Sequence, residues 1–236
     1  MRKIKIENMP ELPYAIEESI SRLRVNISFL GNDVKKILII SAMENEGKSY
    51  VAVNLWRQLA AAGMPTLLLD GDMRKSMLVK RYGMKAEDGK KMEGFSHVLA
   101  SSTPIKNAPY ATNLENAYIL PNTENLINRG ILLESKRFQE MMDTMSEQFR
   151  YVLVDAPPLA LVSDGEKIAS MCDGAILVVH SGETSKKLVK NSIQQIERAG
   201  CPLLGVVLNF VETSKSGSYY RAYGKKGYYY YGGSTK

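Results

Sequence analysis

KILIISAMENEGKS, residues 36–49, is the stretch that decides the fold. Its first six residues form a largely apolar run of the length and type found in buried strands. The following turn ends in Gly47-Lys48-Ser49 and opens directly onto a helical pattern over Ser49–Ala62. A glycine-lysine turn between a buried strand and a helix is the arrangement of a phosphate-binding loop, since backbone amides at the helix N-terminus bind phosphate oxygens.

Most residues of this loop have an expected role, although the loop lacks the first glycine of the G-x-x-x-x-G-K-S pattern. Lys48 reaches the β- and γ-phosphates of a nucleotide, and the Ser49 hydroxyl binds Mg²⁺. Asn45 stands where a second glycine is common, and it tolerates a positive φ. Carboxylates are unfavourable beside phosphates, so we expect Glu44 and Glu46 to point to solvent or to a neighbouring subunit. The predicted nucleotide-binding residues of the loop are Glu44, Asn45, Glu46, Gly47, Lys48, Ser49 and Tyr50.

Strand-like apolar runs alternate with helical patterns along the rest of the chain. Each run is apolar at successive positions and does not alternate with polar residues. Such runs, interleaved with helices, predict a parallel sheet that is covered by helices on both faces. The fold class is therefore α/β, a P-loop NTPase with a mostly parallel central sheet. The predicted strands are Lys36–Ser41, Thr66–Asp70, Tyr118–Leu120, Tyr151–Asp155, Gly174–Val179 and Leu203–Leu208. The predicted helices are Pro13–Leu30, Ser49–Ala62, Lys136–Gln148, Gly165–Met171 and Ser185–Ala199.

Two regions carry weaker signals. The first predicted helix places four apolar residues on one side, which we expect to pack on the domain or on a neighbouring subunit. Residues Met84–Asn128 have weak periodicity and are expected to be connecting segments with short helices. The four apolar residues of the first predicted helix are Ile16, Ile20, Leu23 and Ile27.

Carboxylates stand at the ends of two predicted strands. Asp70 and Asp72 lie in TLLLDGDMR, which ends in Arg74, and Asp155 ends YVLVD. The C-terminal ends of parallel strands face one ligand crevice, so we expect these side chains to converge beside the glycine-lysine turn. Since Mg²⁺ prefers carboxylate and hydroxyl oxygens, we predict Ser49, Asp72 and Asp155 as its ligands. Each Asp alone could instead cap a turn, which is the commoner role of Asp after a strand.

Composition restricts the class of protein. Of the formal charge of +6, residues 212–236 carry +4, from five Lys or Arg against one acid, which leaves about +2 for the body. Such a small charge argues against a broad nucleic-acid surface, and we expect no nucleic-acid partner. No apolar run approaches the roughly 18 residues that span a bilayer, so we expect a cytoplasmic protein. Cys172 and Cys201 have no metal-ligand spacing and are expected to be buried, inert thiols.

The C-terminal segment has a composition of its own. Seven tyrosines lie among the last eighteen residues, and no Leu, Ile, Val or Met follows Val211. Such a segment cannot bury enough apolar surface to offset its ordering entropy, so we predict a folded domain over residues 1–211 and a flexible tail over 212–236. The alternative is a low-complexity end without chemistry. The tyrosines are Tyr219, Tyr220, Tyr223, Tyr228, Tyr229, Tyr230 and Tyr231.

Taken together, these motifs resemble those of the bacterial tyrosine kinases (BY-kinases) of polysaccharide assembly, over nearly the full length of the chain. Residues 46–49 resemble the end of their Walker A motif, and residues 67–74 resemble their Walker A′ motif, apolar residues followed by D-x-D-x-R. Residues 152–158 resemble their Walker B motif, which ends in D-x-P-P. The tyrosine cluster is similar to the autophosphorylated C-terminus of that family. Four such motifs in this order are highly specific.

The resemblance implies an ATP- and Mg²⁺-dependent protein tyrosine kinase. It implies that the seven tail tyrosines are the phosphate acceptors and that the kinase regulates capsular or extracellular polysaccharide biosynthesis. Its implied partners are a transmembrane activator protein that recruits it to the inner face of the cell membrane, a tyrosine phosphatase, and further copies of the chain, joined by contacts between one tail and a neighbour's active site. Asn209 stands where related ATPases use Asn on adenine, and a strand-end cap is an equally good interpretation of it.

A kinase of this kind depends mainly on positioning and charge neutralisation. A phenol with a pKa near 10 also needs a base or an orienting group. We expect Asp70 to have that role, with Asp72 as the second choice. The predicted catalytic residues are Lys48, Asp70, Asp72, Arg74 and Asp155.

Two other classes of protein remain as alternatives. A regulatory ATPase of the MinD/ParA type would share the fold and all three phosphate motifs. That class has a signature lysine five residues before the invariant one, where this chain has Met43, and it often ends in an amphipathic membrane helix instead of tyrosines. The other alternative is a nucleic-acid or polymer binder that uses the basic and aromatic residues of the tail.

Overall fold

Buried strands and amphipathic helices alternate in the structure, a computed structural model that describes residues 1–101, 104–124, 129–160 and 163–211. The strands are β1 (Lys3–Ile6), β2 (Lys36–Ser41), β3 (Thr66–Asp70), β4 (Met84–Ala86), β5 (Tyr110–Thr112), β6 (Ala117–Leu120), β7 (Tyr151–Asp155), β8 (Gly174–His180) and β9 (Leu203–Asn209). The α-helices are α1 (Tyr14–Ser28), α2 (Lys48–Ala61), α3 (Leu78–Arg81), α4 (Phe95–Ala100), α5 (Arg129–Leu133), α6 (Lys136–Gln148), α7 (Asp164–Ala169) and α8 (Lys186–Arg198), with a 3-10 turn at Ile105–Asn107.

Within the described residues, these strands form one sheet in the order β4-β1-β5-β6-β3-β7-β2-β8-β9. The pairs β1–β4 and β5–β6 are antiparallel, and the other neighbours are parallel. The predicted mostly parallel sheet is therefore confirmed. Because β3, β7 and β2 are adjacent and parallel, their C-terminal ends lie side by side at one edge of the sheet.

Helices cover both faces of the sheet, as predicted. Successive residues of a strand point to opposite faces, so Ile37 and Ile39 of β2 join one core with α1 and α2, while Leu38 and Ile40 join the other with α6. On the α2 face, the fully buried Trp56 donates a hydrogen bond from Nε1 to the carbonyl oxygen of Thr66, 3.0 Å away. This bond fixes α2, and the loop that leads into it, against β3.

The first helix packs on the domain through α2. Ile20 and Ile27 are buried and Leu23 is partly buried, in agreement with the predicted apolar side. Ile16, in the first turn of the helix, is 37% exposed, so the packing on the domain does not bury it, and packing on a neighbouring subunit stays a prediction for this residue.

The region Met84–Asn128 was predicted as connecting segments, and its described part contains three strands, β4, β5 and β6, of which only β6 was expected. The strand β1 was also missed.

Cys172 and Cys201 are buried free thiols, as expected, and burial raises the pKa of Cys201 to about 11. Among the described helices, none combines the length and the apolar character needed to cross a bilayer. The predicted tail, residues 212–236, lies outside the described residues.

Candidate active site

The glycine-lysine turn forms a loop between β2 and α2, at the edge where β3 and β7 also end. Gly47 immediately precedes α2 with a φ of 86°, and Asn45 has a φ of 63°, so both adopt the left-handed conformation. The expectation that Asn45 would take a glycine-like position is thus confirmed. A Cβ atom on Gly47 would also lie only 2.0 Å from Nδ2 of Asn209. The loop can follow this path only with glycine at residue 47.

Lys48, the first residue of α2, lies between two carboxylates. Its Nζ is 3.4 Å from Oδ1 of Asp155, 3.6 Å from Oδ2 of Asp72 and 3.3 Å from Oγ of Ser49. Burial lowers the pKa of the Lys48 ammonium, but the charges of Asp155 and Asp72 outweigh this effect and raise it. The ammonium is therefore permanently charged and is largely shielded from solvent, at the N-terminus of a helix.

Asp70 and Asp155 are paired in register at the C-terminal ends of β3 and β7. Asp70 is fully buried, and its Oδ2 accepts hydrogen bonds from the Ser76 hydroxyl and from the backbone amide of Asn122. Its Oδ1 has no hydrogen-bond partner among the described residues. Burial, followed by the charge of Asp155, raises the pKa of Asp70 to about 7. Such a carboxyl group can exchange a proton near neutral pH.

Asp72 faces the same crevice from the loop after β3. Its Oδ1 accepts the backbone amides of Arg74 and Lys75 at 3.1 and 3.0 Å, and its Oδ2 faces Lys48. The turn-capping interpretation is thus confirmed for this residue, and its role in the site stays a prediction. Capping uses one oxygen and holds the other towards Lys48.

Arg74 was predicted as a catalytic residue, and its guanidinium contacts a carboxylate at the start of α7. Its Nε lies 2.8 Å from Oδ2 of Asp164, which is itself buried. A hydrogen bond to Asp164 raises the pKa of Arg74. The ion pair connects the loop after β3 with the segment that follows β7, so it stabilises the relative positions of these two loops.

The oxygen atoms around Lys48 fit Mg²⁺. They are hydroxyl and carboxylate oxygens, from Ser49, Asp72 and Asp155. Oδ1 of Asp70, at the end of the neighbouring strand, is a further acceptor that has no partner among the described residues. Across the described ranges, no group of three or more His, Cys, Asp or Glu side chains forms a metal cage. At nucleotide sites Mg²⁺ uses one or two carboxylates together with phosphates and waters, and Asp72 and Asp155 could supply these carboxylates. Burial raises the pKa of Asp155, and Lys48 and a hydrogen bond from Ser49 offset part of that rise.

The two acidic residues of the loop behave differently. Glu44 is partly exposed and pairs with Lys75, with 2.7 Å between Oε1 and Nζ, in agreement with the expected orientation towards solvent. The prediction was wrong for Glu46, which is only 3% exposed. Its side chain turns inward because it accepts hydrogen bonds from the Met43 amide and from the Thr184 hydroxyl.

The remaining predicted residues lie in or beside the loop. Tyr50 is half-buried in the first turn of α2. Asn209 ends β9, and its Nδ2 donates to the carbonyl oxygen of Glu46 at 3.0 Å, so it contacts the loop directly. The seven tail tyrosines lie outside the described residues.

Sequence reasoning missed four residues that the fold brings to the site. Ser76 and Asp164 follow no strand and have no local signal. Asn122 lies two residues beyond β6, and the strand-end rule that identified Asp70 could have found it. The contact of Thr184 with the loop joins segments that are 138 residues apart, so local patterns could not have revealed it.

Comparisons with known proteins agree with this geometry. The model of the ParA family, described as the NUBPL iron-transfer P-loop NTPase, matches residues 33–230. Tyrosine-protein kinase CpsD of Streptococcus pneumoniae is 36% identical over 89% of this chain and 92% of its own length.

Two solved structures bear on the choice between a kinase and a regulatory ATPase of the MinD/ParA type. The chimerical protein CapA2B2 is 30% identical with a TM-score of 0.75, over 88% of this chain and 92% of that one. The septum site-determining protein MinD of Pyrococcus horikoshii OT3, complexed with Mg-ADP, is 25% identical with a TM-score of 0.63, over 74% of this chain and 70% of its own. The MinD/ParA-like fold is thus confirmed. The purely regulatory ATPase is less favoured than the kinase, since the MinD match is weaker and shorter.

Proposed function

The chain belongs to the bacterial tyrosine-protein kinases within the ParA family of P-loop NTPases, and we propose that it transfers the γ-phosphoryl group of ATP to tyrosines of its own C-terminal segment. The observation that carries this proposal is the position of Lys48. Its ammonium lies at a helix N-terminus, within 3.6 Å of carboxylates that end or follow two adjacent strands. This arrangement suits the β- and γ-phosphates of a nucleotide that carries a divalent cation.

We assign roles on this basis. The loop from Glu44 to Ser49 binds the phosphates through its backbone amides, and Lys48 neutralises their charge. Ser49, Asp72 and Asp155 would hold Mg²⁺, which would neutralise charge on the phosphates. Arg74 acts mainly by holding the loop after β3 through its ion pair with Asp164.

The transfer itself moves one phosphoryl group and one proton. A bond forms between the phenol oxygen of the tyrosine and the γ-phosphorus, while the bond from that phosphorus to the β,γ-bridging oxygen breaks. ADP leaves with the electron pair of the broken bond, and the phenol proton passes to a carboxylate. Asp70 is the first choice as acceptor, since its pKa of about 7 lets it be ionised at neutral pH and its Oδ1 has no other partner among the described residues. Asp72 remains the second choice.

The biological setting is proposed from the family resemblance. We propose that the kinase regulates capsular or extracellular polysaccharide biosynthesis and that a transmembrane activator protein recruits it to the inner face of the cell membrane. The same resemblance supports a tyrosine phosphatase as a partner and transfer between copies of the chain. The body of the chain carries only about +2, which supports the absence of a nucleic-acid partner.

Iron transfer, which the description of the family model names, finds little support in this chain. Iron–sulfur clusters are bound by cysteine thiolates. The chain has two cysteines, Cys172 and Cys201, both buried, and burial raises the pKa of each thiol. Neither is a ready thiolate ligand at the protein surface.

The test of the proposal is phosphate mapping. The full chain is incubated with γ-labelled ATP and Mg²⁺, and the modified residues are identified by mass spectrometry. A matched variant carries Phe at Tyr219, Tyr220, Tyr223, Tyr228, Tyr229, Tyr230 and Tyr231. We expect label on these tyrosines in the unmodified chain and its loss in the variant. Equal labelling of both proteins would contradict the assignment of the tail as acceptor.

A further inference from the structure

One charged side chain in the phosphate loop has no role in the proposed chemistry. Glu46 directly precedes Gly47 and is 3% exposed, although a carboxylate is unfavourable beside phosphates. A buried charge is retained only where hydrogen bonds compensate its desolvation. The partners of Glu46 therefore indicate what it does.

Both carboxylate oxygens of Glu46 are occupied. Oε2 accepts the Met43 amide at 2.7 Å, which fixes the loop to itself. Oε1 accepts the Thr184 hydroxyl and, at 3.4 Å, the amide of His180. His180 ends β8, and Thr184 lies in the turn between β8 and α8. The side chain thus joins the phosphate loop to the β8–α8 turn, residues 181–185.

A second connection runs through the end of β9. Asn209 donates to the carbonyl oxygen of Glu46, and the next residue, Phe210, has a left-handed φ of 56°. This conformation stacks the Phe210 ring on the His180 ring, with 4.4 Å between centroids and 23° between planes. The contacts form a closed circuit, from Glu46 to His180, Phe210, Asn209 and back to Glu46.

Phe210 gives this circuit a surface for a ligand. It remains 52% exposed although it is stacked on His180, and its Cε2 would lie 3.5 Å from a Cβ atom at Gly47. An exposed aromatic ring next to a phosphate loop suits a nucleobase, because stacking on an aromatic side chain is favourable for every base. These contacts thus connect the phosphate loop, through Glu46, with the exposed aromatic ring of Phe210.

We propose that Glu46 is a positioning residue that couples the two ends of the nucleotide site. It holds the phosphate loop in register with the His180–Phe210 stack, against which the base packs, so that base and phosphates strengthen each other's binding. This inference rests on the proposed nucleotide site and adds a specific requirement: the base contributes to affinity only while Glu46 joins the two segments.

The test compares ADP with pyrophosphate, which keeps the two phosphates and lacks the adenosine group. Affinities for both, each with Mg²⁺, are measured by calorimetry, and the dissociation constant of pyrophosphate divided by that of ADP reports the contribution of adenosine, which includes the base. We expect Glu46→Ala to lower this ratio about tenfold. Thr184→Val, which removes the same contact from the other side without altering the loop sequence, should lower it in the same direction.

Two further variants separate positioning from general stability. Glu46→Gln keeps the size and one acceptor oxygen, so the ratio should stay within about threefold of the unmodified chain. Glu197→Ala removes an exposed acid from the far end of α8, away from this turn, and should leave the ratio unchanged. The double variant of Glu46→Ala and Thr184→Val should lose little more than Glu46→Ala alone, because each single variant already removes the hydrogen bond between Glu46 and Thr184.

Other results would overturn the inference. An equal loss for both ligands would mean that Glu46 only stabilises the loop, and an unchanged ratio in Thr184→Val would mean that the contact carries no coupling. If Glu46→Ala does not fold, the Thr184→Val ratio decides. If the unmodified chain binds neither ligand, the proposed nucleotide site is wrong, and the inference falls with it.

Discussion

The ammonium of Lys48 lies 3.4 Å from Oδ1 of Asp155, so the cation of the phosphate loop and the carboxylate at the end of β7 form a direct ion pair. Both groups are largely shielded from solvent, where charge pairs interact more strongly than in water. On the proposed assignment, a nucleotide with its cation would offer each of them a new partner, phosphate oxygens for Lys48 and Mg²⁺ for Asp155. The ion pair would then hold both side chains in place before these ligands bind.

Lys48→Met should abolish nucleotide binding and tyrosine phosphorylation while the chain remains folded. The ammonium neutralises phosphate charge in a water-poor site, where such a group is worth several kcal/mol, so activity should fall by orders of magnitude. Calorimetry with ADP and a thermal melt separate loss of binding from loss of fold. Normal phosphate incorporation in a folded variant would refute the assignment of the loop.

Asp155→Ala should weaken nucleotide binding specifically in the presence of Mg²⁺. The expected loss is at least tenfold in ADP affinity with Mg²⁺ and much smaller in EDTA, because Asp155 would act through the cation. Asp143→Ala is a suitable control, since it removes an exposed acid of α6. An equal loss with and without Mg²⁺ would mean that Asp155 acts on Lys48 alone.

Asp70→Asn should change the dependence of stability on pH. The pKa of Asp70 is about 7 in the folded chain and about 3.9 when unfolded. Between these values the folded chain keeps a proton that the unfolded chain has released, so the free energy of unfolding decreases as pH rises from about 4 to 7, by up to about 4 kcal/mol. Asn cannot ionise and can still accept from Ser76 and Asn122. Melting temperatures in EDTA should show the variant more stable at pH 8, with the difference shrinking towards pH 4, and parallel profiles would contradict the buried, proton-binding role.

Gly47→Ala should be more damaging than Gly63→Ala, although both glycines have a left-handed φ. Ala at residue 63 meets nothing within 4 Å and pays only the conformational cost, about 1–2 kcal/mol. Ala at residue 47 would also collide with Asn209 and displace the loop. Thermal melts and ADP affinity of the two variants should differ accordingly, and equal behaviour would show that the Asn209 contact is dispensable.

The sequence was sufficient to predict the central part of the fold. The strands β2, β3 and β7 and the helix α6 have the bounds that the patterns predicted, because strands buried on both faces read as continuous apolar runs. The short strands β1, β4 and β5 were missed. Each has three or four residues and exists through pairing with distant segments, such as Lys3 with Ala111, and no local pattern reports such pairing.

The residues of the candidate site also divide into those that local patterns could place and those that depend on distant contacts. Lys48, Asp70 and Asp155 could be placed together because each lies at the end of a strand or the start of a helix, where topology fixes the position. The orientation of Glu46 could not be predicted, since its partner Thr184 comes from a distant turn. Charge alone suggested that this carboxylate avoids the loop interior, and the hydrogen bonds that compensate its burial were not visible in the sequence.

The most direct measurement mixes two variants, each lacking one half of the reaction. One is Lys48→Met with its tail intact, and the other has a functional site and Phe at all seven tail tyrosines. After incubation with γ-labelled ATP and Mg²⁺, we expect label on the tail of the Lys48→Met chain, because a functional site in one copy phosphorylates the tail of another. Neither variant alone should be labelled on its tail. Tail labelling of the Lys48→Met chain by itself would contradict phosphoryl transfer at the Lys48 site, and no label in the mixture, with strong labelling of the unmodified chain at high dilution, would contradict transfer between copies.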